Sequence, residues 1–151
     1  MTTLKLVTQP NKILRTVSID IARETFSEYK KLGEEMVEAM LKYEGIGLAA
    51  PQIGRNINMF TINKDVTLGE DHLILCNPKI VFLSKGTNVM EEGCLSCPKI
   101  YGDVSRSEKI RVKAFSLDGV LHTFKAKGLL AKVFQHEIDH LNGTLILDKF
   151  E

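Results

Sequence analysis

Leu129-Leu130-Ala131-Lys132-Val133-Phe134-Gln135-His136-Glu137-Ile138-Asp139-His140-Leu141 decides how this 151-residue chain is read. Its apolar residues Leu130, Val133, Phe134, Ile138 and Leu141 recur at helical spacing, which predicts an amphipathic helix. On that helix His136 and His140 stand four apart, one turn from each other on one face. Two imidazoles so placed can bind one tetrahedral metal ion. Glu137 lies beside them, near enough to handle the protons of a water at that metal. The bland alternative is a pair of ordinary surface histidines, and the glutamate between them disfavours it.

Two histidines leave a metal short of ligands. Eleven residues follow His140, too few for a glutamate some twenty residues later. Gly143 fits the longer His-Glu-x-x-His-x-x-Gly-x-x-His pattern, but Ile146 stands where its third histidine belongs. Asp148 has a spacing that matches neither pattern. The third ligand is therefore expected upstream, among His72, His122, Cys76, Cys94 and Cys97. Cys94 stands out in Glu91-Glu92-Gly93-Cys94-Leu95-Ser96-Cys97-Pro98, where Gly93 permits close backbone approach. A thiolate with two imidazoles suits Fe(II), Zn, Co or Ni. Cys94-x-x-Cys97 is also half of a closed four-ligand site or a redox pair. In an extended segment, residues three apart face opposite sides, which separates the two sulfurs. That leaves Cys97 as a small hydrophobe. Cys76, in Leu73-Ile74-Leu75-Cys76, reads as core.

Away from this segment the chain looks like an ordinary globular domain. Its 20 basic and 19 acidic residues give a net charge of +1, and 44% of its residues are hydrophobic. Near-zero charge argues against a nucleic-acid binder driven by phosphate neutralisation, and no direct nucleic-acid partner is expected. No apolar run approaches a membrane span of about 18 residues, and Met1–Val7 lacks the pattern of a secretory signal. Three cysteines without such a signal suggest a reducing compartment. Residues 1–151 read as a single domain, long enough to fold without a metal.

The remaining elements follow from local patterns. Phe26, Tyr29, Leu32, Met36, Val37, Met40 and Tyr43 form a helical stripe, with Ser27 as its cap and Gly45 as its stop. Asn58–Asn63, Leu73–Cys76, Lys79–Leu83 and Lys109–Ser116 read as strands. Leu117-Asp118-Gly119-Val120 is a hairpin signal joining Arg111–Phe115 to Leu121–Lys125. A helix, several strands and a second helix predict an α+β fold. Mixed, mostly antiparallel strands would surround the central His-Glu-x-x-His helix.

Gly45-Ile46-Gly47-Leu48-Ala49-Ala50-Pro51-Gln52-Ile53-Gly54 has little side chain, so its backbone can approach a ligand. A loop packed against a helix is the alternative. Taken in order, this loop, Glu92-Gly93-Cys94-Leu95-Ser96 and Gln135-His136-Glu137-Ile138-Asp139-His140 resemble the three motifs of the peptide deformylases. The likeness runs from Val7-Thr8-Gln9-Pro10 to Leu147-Asp148. It implies metal ligands Cys94, His136 and His140 with a water in the fourth position, and Fe(II), Ni, Co or Zn as the ion, Fe(II) foremost. It implies a metal-dependent amide hydrolase that takes an N-formylated nascent peptide and releases formate. Glu137 would move protons, and Gln52 with the Leu95 N–H would steady the oxyanion. Gly45 and Gly47 would pair with the extended substrate. Ile46, Met90, Leu129, Val133 and His136 would enclose methionine, with Glu92 and Gly93 alongside. Glu92, Arg106 and Asp139 would orient the ligands. Core is the alternative for Leu129 and Val133, and a plain surface cation for Arg106.

The departures from the family pattern also carry expectations. Cys97 replaces an Ile or Val, which invites oxidation beside a metal thiolate. Lys132 stands where an apolar residue is common, so it either snorkels outward or narrows the pocket. Tyr101 replaces a frequent Arg on the rim. The family's usual C-terminal helix, which contacts the ribosome, is not expected, so ribosome docking is not expected either. Such short forms resemble those carried by some phages. A monomer in the cytoplasm of a bacterium, or of a phage-infected one, is implied. The rival functions are a general metallopeptidase and a non-catalytic protein with a structural zinc.

Overall fold

The computed structural model describes residues 4–151, so Met1–Thr3, where the reading of the N-terminal segment begins, lie outside it. Among the described residues, seven strands and three α-helices form the architecture. The strands are β1 (Gly47–Ala49), β2 (Met59–Ile62), β3 (Leu73–Leu83), β4 (Thr87–Cys94), β5 (Cys97–Ser107), β6 (Lys109–Phe115) and β7 (Leu121–Lys127). The helices are α1 (Lys30–Lys42), α2 (Lys64–Thr67) and α3 (Gly128–Leu141). Strands β1, β2, β3, β6 and β7 make one sheet in that order, and β4 and β5 make a separate hairpin. Every ladder is antiparallel. The α+β fold is as expected. No helix among the described residues is long and apolar enough to cross a membrane.

Helix α3 lies at the centre. Ala131, Val133, Phe134, Ile138 and Leu141 bury its apolar side against Ile110, Val112, Ala114 and Ala126 of β6 and β7. Helix α1 covers a second cluster through Met36, Ala39 and Met40, which meet Leu48, Met59 and Cys76. Cys76 is core, as expected, and burial pushes its thiol up to about 12.

Several local readings need correction. The first helix begins at Lys30, because Arg23–Tyr29 is 3-10. Ser27 caps nothing. Phe26 is instead turned inward, its ring centroid 5.6 Å from that of Phe115. The stop comes at Glu44, at φ 58°, rather than at Gly45. The two strands expected on either side of Asn77-Pro78 are one strand with a bulge. Pro78 cannot donate to the ladder, and Asn77 turns to φ 49° and bonds Ile21 through both side-chain atoms. The Asp118-Gly119 turn forms as read, with Gly119 at φ 88° and Phe115 opposite Leu121.

Candidate metal centre and its pocket

Helix α3 presents His136 and His140 on one face, with their Nε2 atoms 3.2 Å apart. Cys94 ends β4, and its Sγ lies 3.2 Å from His140 Nε2. One donor atom from each of these three residues falls within 4.8 Å of the others. Cys97 is not part of this group. Its placement corrects the premise of an extended segment: Leu95-Ser96 is a tight turn, so Cys94 and Cys97 face each other across it. The Cys94 hydrogen bond then holds the Cys97 thiol down at about 7, while the same bond and burial push the Cys94 thiol up.

A set of buried polar groups orients the cluster. His136 Nδ1 lies 3.2 Å from Glu92 Oε1, which turns Nε2 toward Cys94 and His140. Arg106 donates twice to Glu92, at 2.6 and 2.9 Å, and once to Asp139, at 2.8 Å. Arg106 is therefore a buried bridge rather than a surface cation. Burial alone would raise the Glu92 carboxyl, but hydrogen bonds from His136 and Arg106 hold it at about 2. His140 is driven well below its ordinary value, first by burial and then by the His136 and Arg106 charges. A neutral imidazole is the ligand form.

Glu137 sits at the floor of the same space. Burial pushes its carboxyl up to about 7, against the His136 and Arg106 charges. Its Oε1 is buried without a hydrogen-bond partner among the described residues, as is His140 Nδ1. A buried carboxylate oxygen without a donor is costly. It is explained when something outside the chain, a water or a cation, belongs beside it. The strand β1 leaves room for this carboxylate: a Cβ on Gly47 would stand 2.5 Å from Glu137 Oε2. The donor set is a thiol, two imidazoles and an adjacent carboxylate, and it fits a divalent transition metal.

Gln52 is fixed from both sides. Its Oε1 accepts from the Ala49 N–H at 2.9 Å, which directs Nε2 toward Ser96 Oγ at 3.2 Å and Cys94 Sγ at 3.7 Å. Ser96 Oγ in turn donates to the Val7 carbonyl at 2.7 Å. Sequence reading gave Ser96 no role. A serine in a turn is too common to signal that it clamps a side chain 44 residues away. The segment from Gly45 to Gly54 is thus a short strand and a 3-10 turn built around this amide rather than a featureless loop.

A cavity of about 440 Å³ opens above the cluster, lined by Gly45, Ile46, Gly47, Gln52, Glu92, Gly93, Leu95 and Val133. Two residues expected in its wall are elsewhere. Leu129 is 45% exposed, neither core nor lining, because it precedes the turn of α3 that faces the cavity. Met90 is exposed on β4 and borders a separate shallow dent beyond Glu92. Lys132 does line the cavity, half-buried, with Nζ 3.1 Å from the Glu91 carbonyl. Tyr101, Lys99, Pro98 and Glu44 complete the rim. Of these only Tyr101 was expected.

Comparisons with known proteins bear on this arrangement. The profile of the family described as polypeptide deformylase matches residues 3–151. Peptide deformylase 1B, chloroplastic, of Solanum lycopersicum is 42% identical over 148 residues, which cover 97% of this chain and 52% of that protein. The peptide deformylase of Bradyrhizobium diazoefficiens is 42% identical over 149 residues, covering 95% of this chain and 85% of the relative. The crystal structure of peptide deformylase from Thermotoga maritima matches with a TM-score of 0.92 at 36% identity, over 100% of this chain and 99% of that one. That of Synechococcus elongatus, in complex with actinonin, matches with a TM-score of 0.92 at 36% identity, over 100% of this chain and 80% of the other. The chain spans about half the length of the chloroplastic relatives it matches.

Proposed function

The chain belongs to the polypeptide deformylase family, and from that premise we propose that it hydrolyses the formyl group from the N-formyl-methionine end of nascent peptides, releasing formate. The observation that carries this reading is the meeting of Cys94, His136 and His140 beside the unpartnered Glu137 Oε1, at the foot of an open cavity.

Cys94 Sγ, His136 Nε2 and His140 Nε2 would hold one divalent cation, Fe(II) by likeness to the family, with Zn, Ni or Co as alternatives that the same donors accept. When bound, such a cation supplies Lewis-acid chemistry, polarising the formyl carbonyl and acidifying a nearby water. Glu137 takes the water proton at its free Oε1 and delivers it to the nitrogen that leaves. A carboxyl poised near 7 suits both halves of that transfer. Gln52 Nε2 and the Leu95 N–H donate to the oxyanion as the carbonyl becomes tetrahedral. Ala49 and Ser96 hold the Gln52 amide in place beforehand, so no reorganisation is needed. Glu92, Arg106 and Asp139 keep His136 turned toward the site.

Strand β1 lies at the edge of the sheet. Its free side lets an extended peptide add as a further strand beside Gly45 and Gly47. Val133, Ile46 and His136 then meet the methionine side chain, and Lys132 stands at the mouth of that pocket.

The test is formate release from formyl-Met-Ala-Ser by anaerobically purified protein whose metal content has been measured. Stoichiometric formate supports the reading. Cleavage of unformylated peptides without formate would replace it with a general peptidase.

A further inference from the structure

We propose that the outer face of β3, β6 and β7 binds single-stranded RNA. The net charge of +1 conceals a strong local asymmetry. The three strands contain no Asp or Glu, and Lys79, Lys109, Arg111, Lys113, Lys125 and Lys127 all stand exposed on them. Register opposes these cations directly: Lys79 faces Lys113, Lys109 faces Lys127 and Arg111 faces Lys125. Directly opposed like charges destabilise a sheet. None of the six makes an ion pair among the described residues.

Protection of a sheet edge does not account for this. Edge strands carry lysines to discourage pairing with other chains, and β7 is an edge, but β3 and β6 are interior strands. Four of the six cations stand on those two. The face also has an aromatic centre. Phe82 is 47% exposed, lies opposite Arg111 and has the Arg111 guanidinium 5.8 Å from its ring centroid. A shallow cavity of about 270 Å³ joins Phe82 to Lys109, Arg111, Lys125 and Lys127. An open ring amid cations is the arrangement on which an unpaired base stacks while the phosphates on either side are neutralised. An acidic peptide would use the cations and leave the ring without a role, and a single half-exposed ring set in a shallow cavity offers a bilayer little to insert. The choice of RNA rests on the reading above, because a nascent peptide exists only beside the RNA that encodes it.

Fluorescence anisotropy of labelled oligo(A) with the metal-loaded protein tests the proposal, with polyglutamate and phosphatidylserine vesicles as competing probes. Binding is expected at low salt, with an affinity that falls by roughly 100-fold between about 50 and 200 mM salt if about five phosphates are neutralised. The Arg111→Glu/Lys127→Glu double variant places opposite charges across two pairs of the β6–β7 ladder, position 111 with Lys125 and position 127 with Lys109. It should melt no lower than the parent, bind oligo(A) at least tenfold more weakly and release formate normally. Phe82→Leu keeps the apolar bulk, removes the ring and should weaken oligo(A) binding about fivefold or more. If the double variant fails to fold, Lys109→Gln/Lys125→Gln is expected to show the same loss in smaller measure. The proposal is overturned by absence of binding at low salt, by binding that survives both sets of charge changes, or by polyglutamate or vesicles binding as tightly as RNA. Failure of the deformylase reading would show differently, as absent formate release from a parent protein that still binds RNA.

Discussion

The β6–β7 and β4–β5 hairpins are both antiparallel and both turn tightly, but different forces hold them. In β6–β7 every second residue of β6 is buried, and Ile110, Val112 and Ala114 pack with Ala126 onto the apolar side of α3. In β4 the strand from Thr87 to Gly93 buries only Glu92. That hairpin is anchored to the polar side of α3, through Arg106 to Asp139, Glu92 to His136 and Ser107 to Gln135. One helix therefore serves two hairpins, an apolar one that supplies core and a polar one that supplies chemistry. Damage to the first should cost stability before turnover. Damage to the second should cost turnover first, or both together.

The largest expected effect tests the polar side. Glu137→Gln keeps the shape of the side chain and removes its proton transfer, so formate release should fall by roughly 10²–10⁴-fold. Metal content by elemental analysis should not change. The urea midpoint should not fall, because a buried carboxylate without a donor is being replaced by a neutral amide. Normal turnover in this variant would remove Glu137 from the mechanism and leave the helix without its chemical side.

Next in size is Arg106→Met. It leaves Glu92 buried without its guanidinium, and breaking such a pair costs about 3–5 kcal/mol. Urea unfolding at neutral pH measures this, and the loss of His136 orientation should lower metal retention on dialysis as well. A cost below about 1 kcal/mol would mean that the β4–β5 hairpin is held by something other than this bridge. Val112→Ala is the matching probe of the apolar hairpin. It removes two buried methyl groups, for about 2 kcal/mol with the cavity included. Formate release per folded molecule should stay within about twofold of the parent.

The same contrast explains what the sequence reveals. The β6–β7 hairpin is legible because alternation and an Asp-Gly turn are local signals, and α3 is legible because its stripe and its two histidines repeat at one period. The β4–β5 hairpin has no such signal. Thr87-Asn88-Val89-Met90-Glu91-Glu92-Gly93 has its acidic and small residues where the site needs them, and its pairing rests on Arg106, 14 residues from Glu92 and 33 from Asp139. The ligand candidates come together because the motifs are chemically distinctive. Ser96 escapes notice because its work depends on Gln52 and Val7, which only the folded chain brings near. Leu129 and Met90 were misplaced for a related reason. Spacing tells which residues share a helix or strand face, but not where the cavity along that face ends.

The smallest expected effect concerns the brace behind the polar hairpin. The residues after α3 fold back over β5: Phe150 packs against Gly102, and the Glu151 N–H donates to the Asp103 carbonyl at 2.9 Å. Asp148 ties this segment to Arg15 and accepts from the Leu145 N–H. The Arg15 hydrogen bond holds the Asp148 carboxyl below its ordinary value of 3.8, and the Leu145 bond adds to this. A carboxyl lowered on folding contributes stability that is fully present above its unfolded value and is lost as pH falls through the lower, folded one. Both side chains are well exposed, 47% for Arg15 and 40% for Asp148, so solvent screening limits the pair to at most about 1 kcal/mol. Asp148→Asn should therefore lower the urea midpoint slightly at neutral pH. The gap between parent and variant should begin to narrow as pH falls past about 4, where the unfolded carboxyl takes up its proton, and should close only below the lower, folded value. If the gap widened in acid instead, the ion pair would not be the brace. The brace over β5 would then rest on the Phe150 contact and the Glu151 hydrogen bond.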